Sequence, residues 1–96
     1  MQHHRVTISN RLGLHARAAA RLVRRATQFA SSVELEREDT GQSADGKSIL
    51  GVLLLAAGQG TTLIIRTEGV DEERAAREIA ELIRQGFGEE WSDGVF

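Results

Sequence analysis

The spacing of apolar residues along this chain switches several times between the two-residue period of β-strands and the longer period of α-helices. The two-residue period predicts strands at residues 5–9 and 33–38. We assign a short strand to residues 42–44, after a turn, and a buried strand to residues 61–68, which are rich in strand-forming residues. The longer period predicts two helices: residues 16–28 and 71–87. Residues 48–57 are almost entirely apolar, and we assign them to a third helix because leucine and alanine outnumber β-branched residues there.

The predicted order is therefore βαββαβα, which favours an α+β fold. Short strands and amphipathic helices bury their apolar faces best when the helices cover one face of an antiparallel sheet. A chain of 96 residues has room for one domain. We expect that domain to span residues 1–88 and residues 89–96, with Trp91 and Phe96, to form a mobile C-terminal tail.

The charge of the chain is unevenly distributed. Residues 1–30 contain six arginines and no acidic residue, whereas the remainder contains the other 6 basic residues and all 14 acidic ones. A basic first third predicts attraction to phosphate, nucleic acid or an acidic protein face, and the charge alone does not choose among them.

The composition excludes several classes of site and location. Because there is no cysteine, disulfides, thiolate metal sites and cysteine nucleophiles are excluded. No signal peptide is recognisable, and the longest internal apolar run, residues 52–57, is too short to span a membrane. We therefore expect a cytoplasmic protein without membrane insertion.

His15 is the candidate nucleophile. It lies where a turn meets the basic helix, two residues before Arg17. The N-terminus of a helix offers unpaired N–H groups and the positive end of the dipole, which together bind phosphate. An imidazole there can accept a phosphoryl group, although a single histidine before a helix is more often a capping or surface residue. His3 and His4 are interpreted as solvated terminal residues.

Residues 41–48 (GQSADGKS) match the P-loop pattern G-x-x-x-x-G-K-[ST]. That pattern indicates a phosphate-binding loop only when it joins a buried parallel strand to a long helix. The preceding strand, residues 33–38, carries three glutamates on one face, unlike the apolar strands of a parallel sheet. We interpret the match as coincidence.

The apolar helix carries more hydrophobic residues than one face can hold. Four positions are predicted to form its inward stripe: Ile49, Val52, Leu55 and Ala56. Leu50 and Leu53 then point elsewhere, either toward a partner protein or toward other parts of a domain that wraps the helix on both sides.

Two segments together resemble one known family. Residues 10–19 (NRLGLHARAA) resemble the phosphohistidine signature of HPr, the phosphocarrier of the phosphoenolpyruvate-dependent phosphotransferase system. Residues 45–52 (DGKSILGV) resemble the regulatory-serine segment of the same family. The similarity covers about residues 4–88, and two motifs at the correct spacing are far more specific than either alone.

The resemblance implies a fold and a reaction. The fold is an open-faced β-sandwich with four antiparallel strands and three helices on one face. Enzyme I is implied to phosphorylate His15 on Nδ1, while Arg17 and helix N-terminal amides, including that of Ala16, steady the phosphate. An Enzyme IIA domain then accepts the group, so the protein is a stoichiometric carrier without cofactor or metal rather than an independent enzyme.

The resemblance also implies regulation and docking. Ser48 matches the serine that a dedicated kinase phosphorylates, and a phosphatase restores, in some members. Leu50 and Leu53 match the docking surface for partner proteins.

Three alternatives remain open at this point. Many members have proline at the position of Ala18. Alanine at this position is similar to the nitrogen-related branch, and it favours a regulatory phosphorelay over sugar uptake. A nucleic-acid-binding module using the arginine-rich helix would need stacking aromatics that the chain largely lacks. A regulatory interaction protein that has lost its carrier role fits poorly with the pair of His15 and Arg17.

Overall fold

The computed structural model describes residues 1–88, so the predicted tail of residues 89–96 lies outside the described part of the chain. The strands, in chain order, are β1 (Gln2–Thr7), β2 (Ser32–Arg37), β3 (Ser43–Asp45) and β4 (Thr62–Glu68). The helices are α1 (Ala16–Ala26), α2 (Ile49–Leu54) and α3 (Glu72–Arg84), and a short 3-10 turn, Gly86–Gly88, follows α3. This order confirms the predicted βαββαβα arrangement.

The strands form a four-stranded sheet in the order β1-β4-β2-β3, and every neighbouring pair is antiparallel. β4 lies inside the sheet, where Ile65 is paired with His4 of β1 on one side and with Leu35 of β2 on the other. Alternate β4 residues are fully buried, as expected of an interior strand with one face against the core.

The three helices of the described chain cover one face of this sheet. The sheet contributes these buried apolar side chains: Val6, Val33, Leu35, Leu63 and Ile65. The helices contribute these: Ala18, Ala19, Leu22, Val52, Ala75, Ala76, Ile79 and Ile83. Several of the helical residues are alanines, whose small side chains let the helices pack closely on one another and on the sheet.

The opposite face of the sheet is polar and open to solvent. Arg66 donates to the carboxylates of Glu34, at 3.4 Å, and Glu36. Arg5 makes a bidentate contact with Glu38 at 2.6 and 2.7 Å. This open face, together with the helical layer on the other side, confirms the open-faced α+β sandwich.

The first strand begins earlier than the apolar alternation indicates. β1 starts at Gln2, so His3 and His4 belong to a strand rather than to a solvated terminus, and His4 is half-buried. Pairing of all six β1 residues with β4 extends the strand beyond the locally recognisable pattern. The interpretation of both histidines as solvated terminal residues is therefore wrong for His4.

Helix α2 is shorter than the predicted residues 48–57. Val52 and Leu55 are buried as predicted, but Ile49 is 47% exposed and Ala56 is exposed with φ 49°. Ile49 lies in the first turn of a six-residue helix and Ala56 lies beyond its end, so neither position faces the core. The predicted inward stripe is thus wrong at these two positions.

The segment that matches the P-loop pattern does not form a phosphate-cradling loop. β3 runs through it, and the helix that follows has only six residues. Lys47 Nζ donates instead to the carbonyl of Phe29 at 2.9 Å, which ties the lysine to the connection between α1 and β2. Within residues 1–88, every helix is too short or too polar to cross a bilayer.

Candidate functional site

A tight turn precedes the candidate nucleophile. The N–H of Gly13 donates to the carbonyl of Asn10 at 3.1 Å, and Asn10 Nδ2 donates to the carbonyl of Gly13 at 2.9 Å. Asn10 is only 6% exposed, so this reciprocal pair is shielded from water and holds the turn closed. The turn positions the next two residues, Leu14 and His15, at the start of α1.

A second contact fixes this turn against the loop between α2 and β4. The N–H of buried Leu14 donates to the carbonyl of Ala57 at 2.9 Å. Gly13 has φ +64°, and a Cβ added there would lie 2.6 Å from Ala57 O and 2.7 Å from Gly58 Cα. Only glycine combines this backbone conformation with so close an approach. Sequence reasoning recognised the turn but missed this function of Gly13.

His15 is the N-cap residue of α1. Its backbone is extended, with φ −74° and ψ 178°, and its carbonyl accepts the first intrahelical hydrogen bond, from Ala19 at 2.8 Å. Its Nδ1 accepts from the N–H of Arg17 at 3.3 Å. In a neutral imidazole a nitrogen that accepts carries a lone pair, and the proton is then on Nε2. The half-buried ring therefore directs the Nδ1 lone pair toward the positive end of the helix.

The remaining predicted residues of this site lie in the first turn of α1. Ala16 begins the helix, so its amide is among those that have no partner earlier in the helix. The Arg17 side chain is exposed, and its guanidinium makes no hydrogen bond or ion pair within residues 1–88. The structure therefore places Ala16 and Arg17 beside His15, with a positively charged group available to an incoming anion.

Two further arginines of α1 are tied to the protein. Arg21 donates to the carbonyl of Phe87, and Arg25 lies 3.6 Å from a carboxylate oxygen of Glu78. Arg24, like Arg17, makes no such contact in the described chain and is exposed. The solvent face of α1 thus carries positive charge that the fold does not neutralise.

Ser48 and the apolar helix lie next to α1. Ser48 is the N-cap of α2, where its Oγ accepts from the N–H of Gly51 at 3.1 Å. Leu50 is 64% exposed as predicted, whereas Leu53 is half-buried and packs against the core. Of the two alternatives for this pair, Leu53 therefore fits the one in which the domain packs around more than one side of the helix, and only Leu50 is exposed.

Leu54 is the second exposed leucine of α2. It is 63% exposed and follows Leu50 by four residues, so the two side chains share one face of α2. This spacing is the signal in the sequence that could have found it. We call the exposed apolar surface formed by Ile49, Leu50 and Leu54 the α2 patch. Because α1 and α2 pack together, the patch and the basic face of α1 belong to the same helical layer.

Comparison with known proteins identifies a matching family. Residues 2–85 match the family model described as PTS HPr component phosphorylation site. Phosphocarrier protein HPr of Cupriavidus necator is 48% identical over 83 residues, which cover 86% of this chain and 91% of that protein. Phosphocarrier protein HPr of Xylella fastidiosa is 43% identical over 90 residues, which cover 94% and 99% respectively.

Solved structures give the same result for the fold. The crystal structure of HPr-C-His from Thermoanaerobacter tengcongensis superimposes with a TM-score of 0.88 at 38% identity, covering 94% of this chain and 99% of that chain. The crystal structure of HPr from Bacillus anthracis superimposes with a TM-score of 0.80 at 36% identity, covering 85% and 95%.

Proposed function

Because this chain belongs to the HPr family of phosphocarrier proteins, we propose that it accepts a phosphoryl group from Enzyme I on His15 Nδ1 and passes it to an Enzyme IIA domain. The observation that carries this proposal is the position of Nδ1, which accepts from the N–H of Arg17 at the start of α1. A lone pair held at a helix N-terminus is suited to attack phosphorus and to bear the phosphate afterwards.

The proposed step is a substitution at phosphorus. The Nδ1 lone pair of His15 gives up its hydrogen bond from the N–H of Arg17 and forms the N–P bond as the bond from phosphorus to the donor on Enzyme I breaks, and that electron pair leaves with the donor. The proton on Nε2 stays in place. Catalysis of such transfers consists mainly of positioning and charge stabilisation, which the fixed imidazole, the helix amides and Arg17 would supply.

In this scheme the protein acts stoichiometrically. Each molecule carries one phosphoryl group from one encounter to the next, and turnover belongs to its partners. The test is incubation with Enzyme I and phosphoenolpyruvate, followed by mass spectrometry of the intact protein. One acid-labile phosphoryl group per chain is expected, and a chain that stays unmodified under conditions that charge a known HPr would contradict the proposal.

Arg17→Ala is expected to slow phosphoryl transfer while leaving the melting temperature nearly unchanged. The guanidinium makes no contact that the fold needs, and hydrogen bonds to a charged group contribute about 1.5–3 kcal/mol, which corresponds to about a ten- to hundredfold loss of rate. Rapid-quench transfer assays and thermal melts measure both quantities. Arg17→Lys should restore little, because an ammonium lacks the planar fork. Transfer by Arg17→Ala at the wild-type rate would rule out this function.

We further propose that the α2 patch docks the partner proteins, with Leu53 supporting it from beneath. An exposed cluster of Ile49, Leu50 and Leu54 can anchor a transient partner in an apolar pocket. The unneutralised charge of Arg17 and Arg24 on the neighbouring helix would steer an acidic partner face toward it.

Ser48 is proposed as a regulatory site for a serine kinase and phosphatase. Its hydroxyl group lies at the start of α2, next to the α2 patch. A phosphoryl group there would add about −1.5 to −2 charges. That charge would lie beside an apolar anchor and would repel an acidic partner, so phosphorylation would weaken docking without unfolding the helix.

Leu50→Glu and Ser48→Asp are expected to weaken Enzyme I binding by about tenfold or more, since each adds negative charge to the docking surface. The melting temperature should change little because both side chains lie outside the core. Calorimetric titration measures the affinity for Enzyme I, and thermal melts measure the melting temperature. Val70→Glu is the matched control, because Val70 is 96% exposed but lies just before α3 rather than on α2. Equal affinities for Leu50→Glu and the control would exclude the patch.

Ala18 supports the nitrogen-related branch as a second candidate pathway. It is fully buried within α1, and unlike proline it keeps a backbone N–H in the first turn of the helix. Phosphoryl transfer to sugar-type and nitrogen-type Enzyme IIA domains, compared at equal concentration, distinguishes the two pathways.

A further inference from the structure

The C-terminal end of α2 is held by side chains from the hairpin of β2 and β3. Arg37 Nη1 donates to the carbonyls of Leu55 and Ala56, at 2.9 and 3.3 Å. Gln42 Nε2 donates to the carbonyl of Leu54 at 3.2 Å. The last carbonyls of a helix have no partner within it, and here those of Leu54, Leu55 and the following Ala56 accept from side chains of the hairpin.

Arg37 is itself fixed in place. Its Nε and Nη2 donate to the two carboxylate oxygens of Asp39, at 3.0 and 2.8 Å, so one planar guanidinium contacts carboxylate and carbonyls at once. The side chain is only 19% exposed. The hydrogen bonds from Arg37 lower the pKa of Asp39 below its ordinary value, as expected for a carboxylate whose ionised form is stabilised.

The backbone held by Arg37 leads directly to the phosphorylation loop, residues 10–15, which ends at His15. Ala56 has φ 49°, a left-handed conformation that an alanine rarely adopts without support from its surroundings. The next residue, Ala57, is 2% exposed and accepts the hydrogen bond from Leu14 at 2.9 Å. Leu14 immediately precedes His15, so a continuous series of contacts joins Arg37 to the nucleophile.

We propose that Arg37 is a positioning residue for phosphoryl transfer: it holds Ala56 and Ala57 in the geometry against which Leu14 docks, and thereby sets the place of His15 at the N-terminus of α1. This inference rests on the proposed function for its effect on rate. Displacing a reacting group by about an ångström can cost up to about a hundredfold in rate, so loss of this support should slow the transfer step.

The experiment compares Arg37→Ala with Arg5→Ala. Both variants remove an arginine that makes a bidentate contact with a carboxylate. Within residues 1–88, however, Arg5 contacts only Glu38 and no carbonyl of the loop after α2. The readouts are the maximal rate and the half-saturating Enzyme I concentration for phosphorylation, and amide hydrogen exchange at Leu14.

Arg37→Ala should lower the maximal rate about tenfold and speed exchange at Leu14, with a smaller change in half-saturation. Arg37→Lys can still reach a carbonyl, so its maximal rate and its exchange rate at Leu14 should lie between those of Arg37→Ala and the wild type. Arg5→Ala should behave as the wild type. If Arg37→Ala does not fold, Arg37→Lys takes its place, with changes expected in the same direction.

A wild-type maximal rate and unchanged Leu14 exchange in Arg37→Ala would overturn the inference, as would equal losses in Arg5→Ala. Failure of the proposed function looks different: the wild type would not be phosphorylated at all. Exchange at Leu14 would then still show whether Arg37 holds the loop.

Discussion

Replacing His15 with alanine will leave the protein unable to accept a phosphoryl group from Enzyme I and phosphoenolpyruvate. The variant loses the Nδ1 lone pair that the first turn of α1 holds in place, and the residues that follow it in that turn, Ala16 and Arg17, offer no imidazole to replace it. Intact-mass spectrometry before and after acid treatment measures the effect. The same change removes an N-cap acceptor, for which a loss of about 0.5–2 kcal/mol of stability is expected.

The other two histidines provide the controls. His3 and His4 lie in β1, where one is exposed and the other half-buried on the sheet. His3→Ala and His4→Ala should accept the full phosphoryl group. An undiminished mass shift in His15→Ala, or its loss in either control, would mean that the phosphoryl group is carried elsewhere.

Gly13→Ala is expected to destabilise the fold strongly and to impair phosphorylation together with it. At φ +64° a non-glycine residue costs about 1–2 kcal/mol. The added methyl group would also meet the backbone at Ala57 and Gly58, at 2.6 and 2.7 Å. Overpacking of this kind costs about 1–3 kcal/mol more. Because backbone atoms cannot rotate away, relief requires the phosphorylation loop or the loop after α2 to move.

Gly41→Ala separates the cost of the positive φ from the cost of the close backbone contact. Gly41 has φ +78°, but an added Cβ would meet no atom within 4 Å. This control should therefore lose only the backbone term, about 1–2 kcal/mol, and should be phosphorylated normally. Denaturant titration of both variants measures the difference in the free energy of unfolding. Equal losses would show that the close contact at Gly13 contributes nothing.

The local pattern of the sequence was sufficient to predict the order of the elements and the position of His15 at the start of α1. Alternating and helical periods reflect which side chains of a strand or helix share a face, and this depends only on neighbours along the chain. That is why βαββαβα, the antiparallel sheet and the junction of His15 with α1 could be predicted. Two short motifs at the correct spacing then predicted the HPr family.

Contacts between distant parts of the chain decided the rest. The extension of β1 to Gln2 depends on pairing with β4, which lies about sixty residues later. Which side of α2 faces inward depends on what lies beneath it, so Leu53 packs against the core and Leu54, for which no prediction was made from the sequence, is exposed. The supports of His15 likewise come from Ala57 and, through it, from Arg37. Residues 10–19 give no indication of these partners. Hydrogen bonds and close packing between distant segments produce no periodic pattern in the sequence.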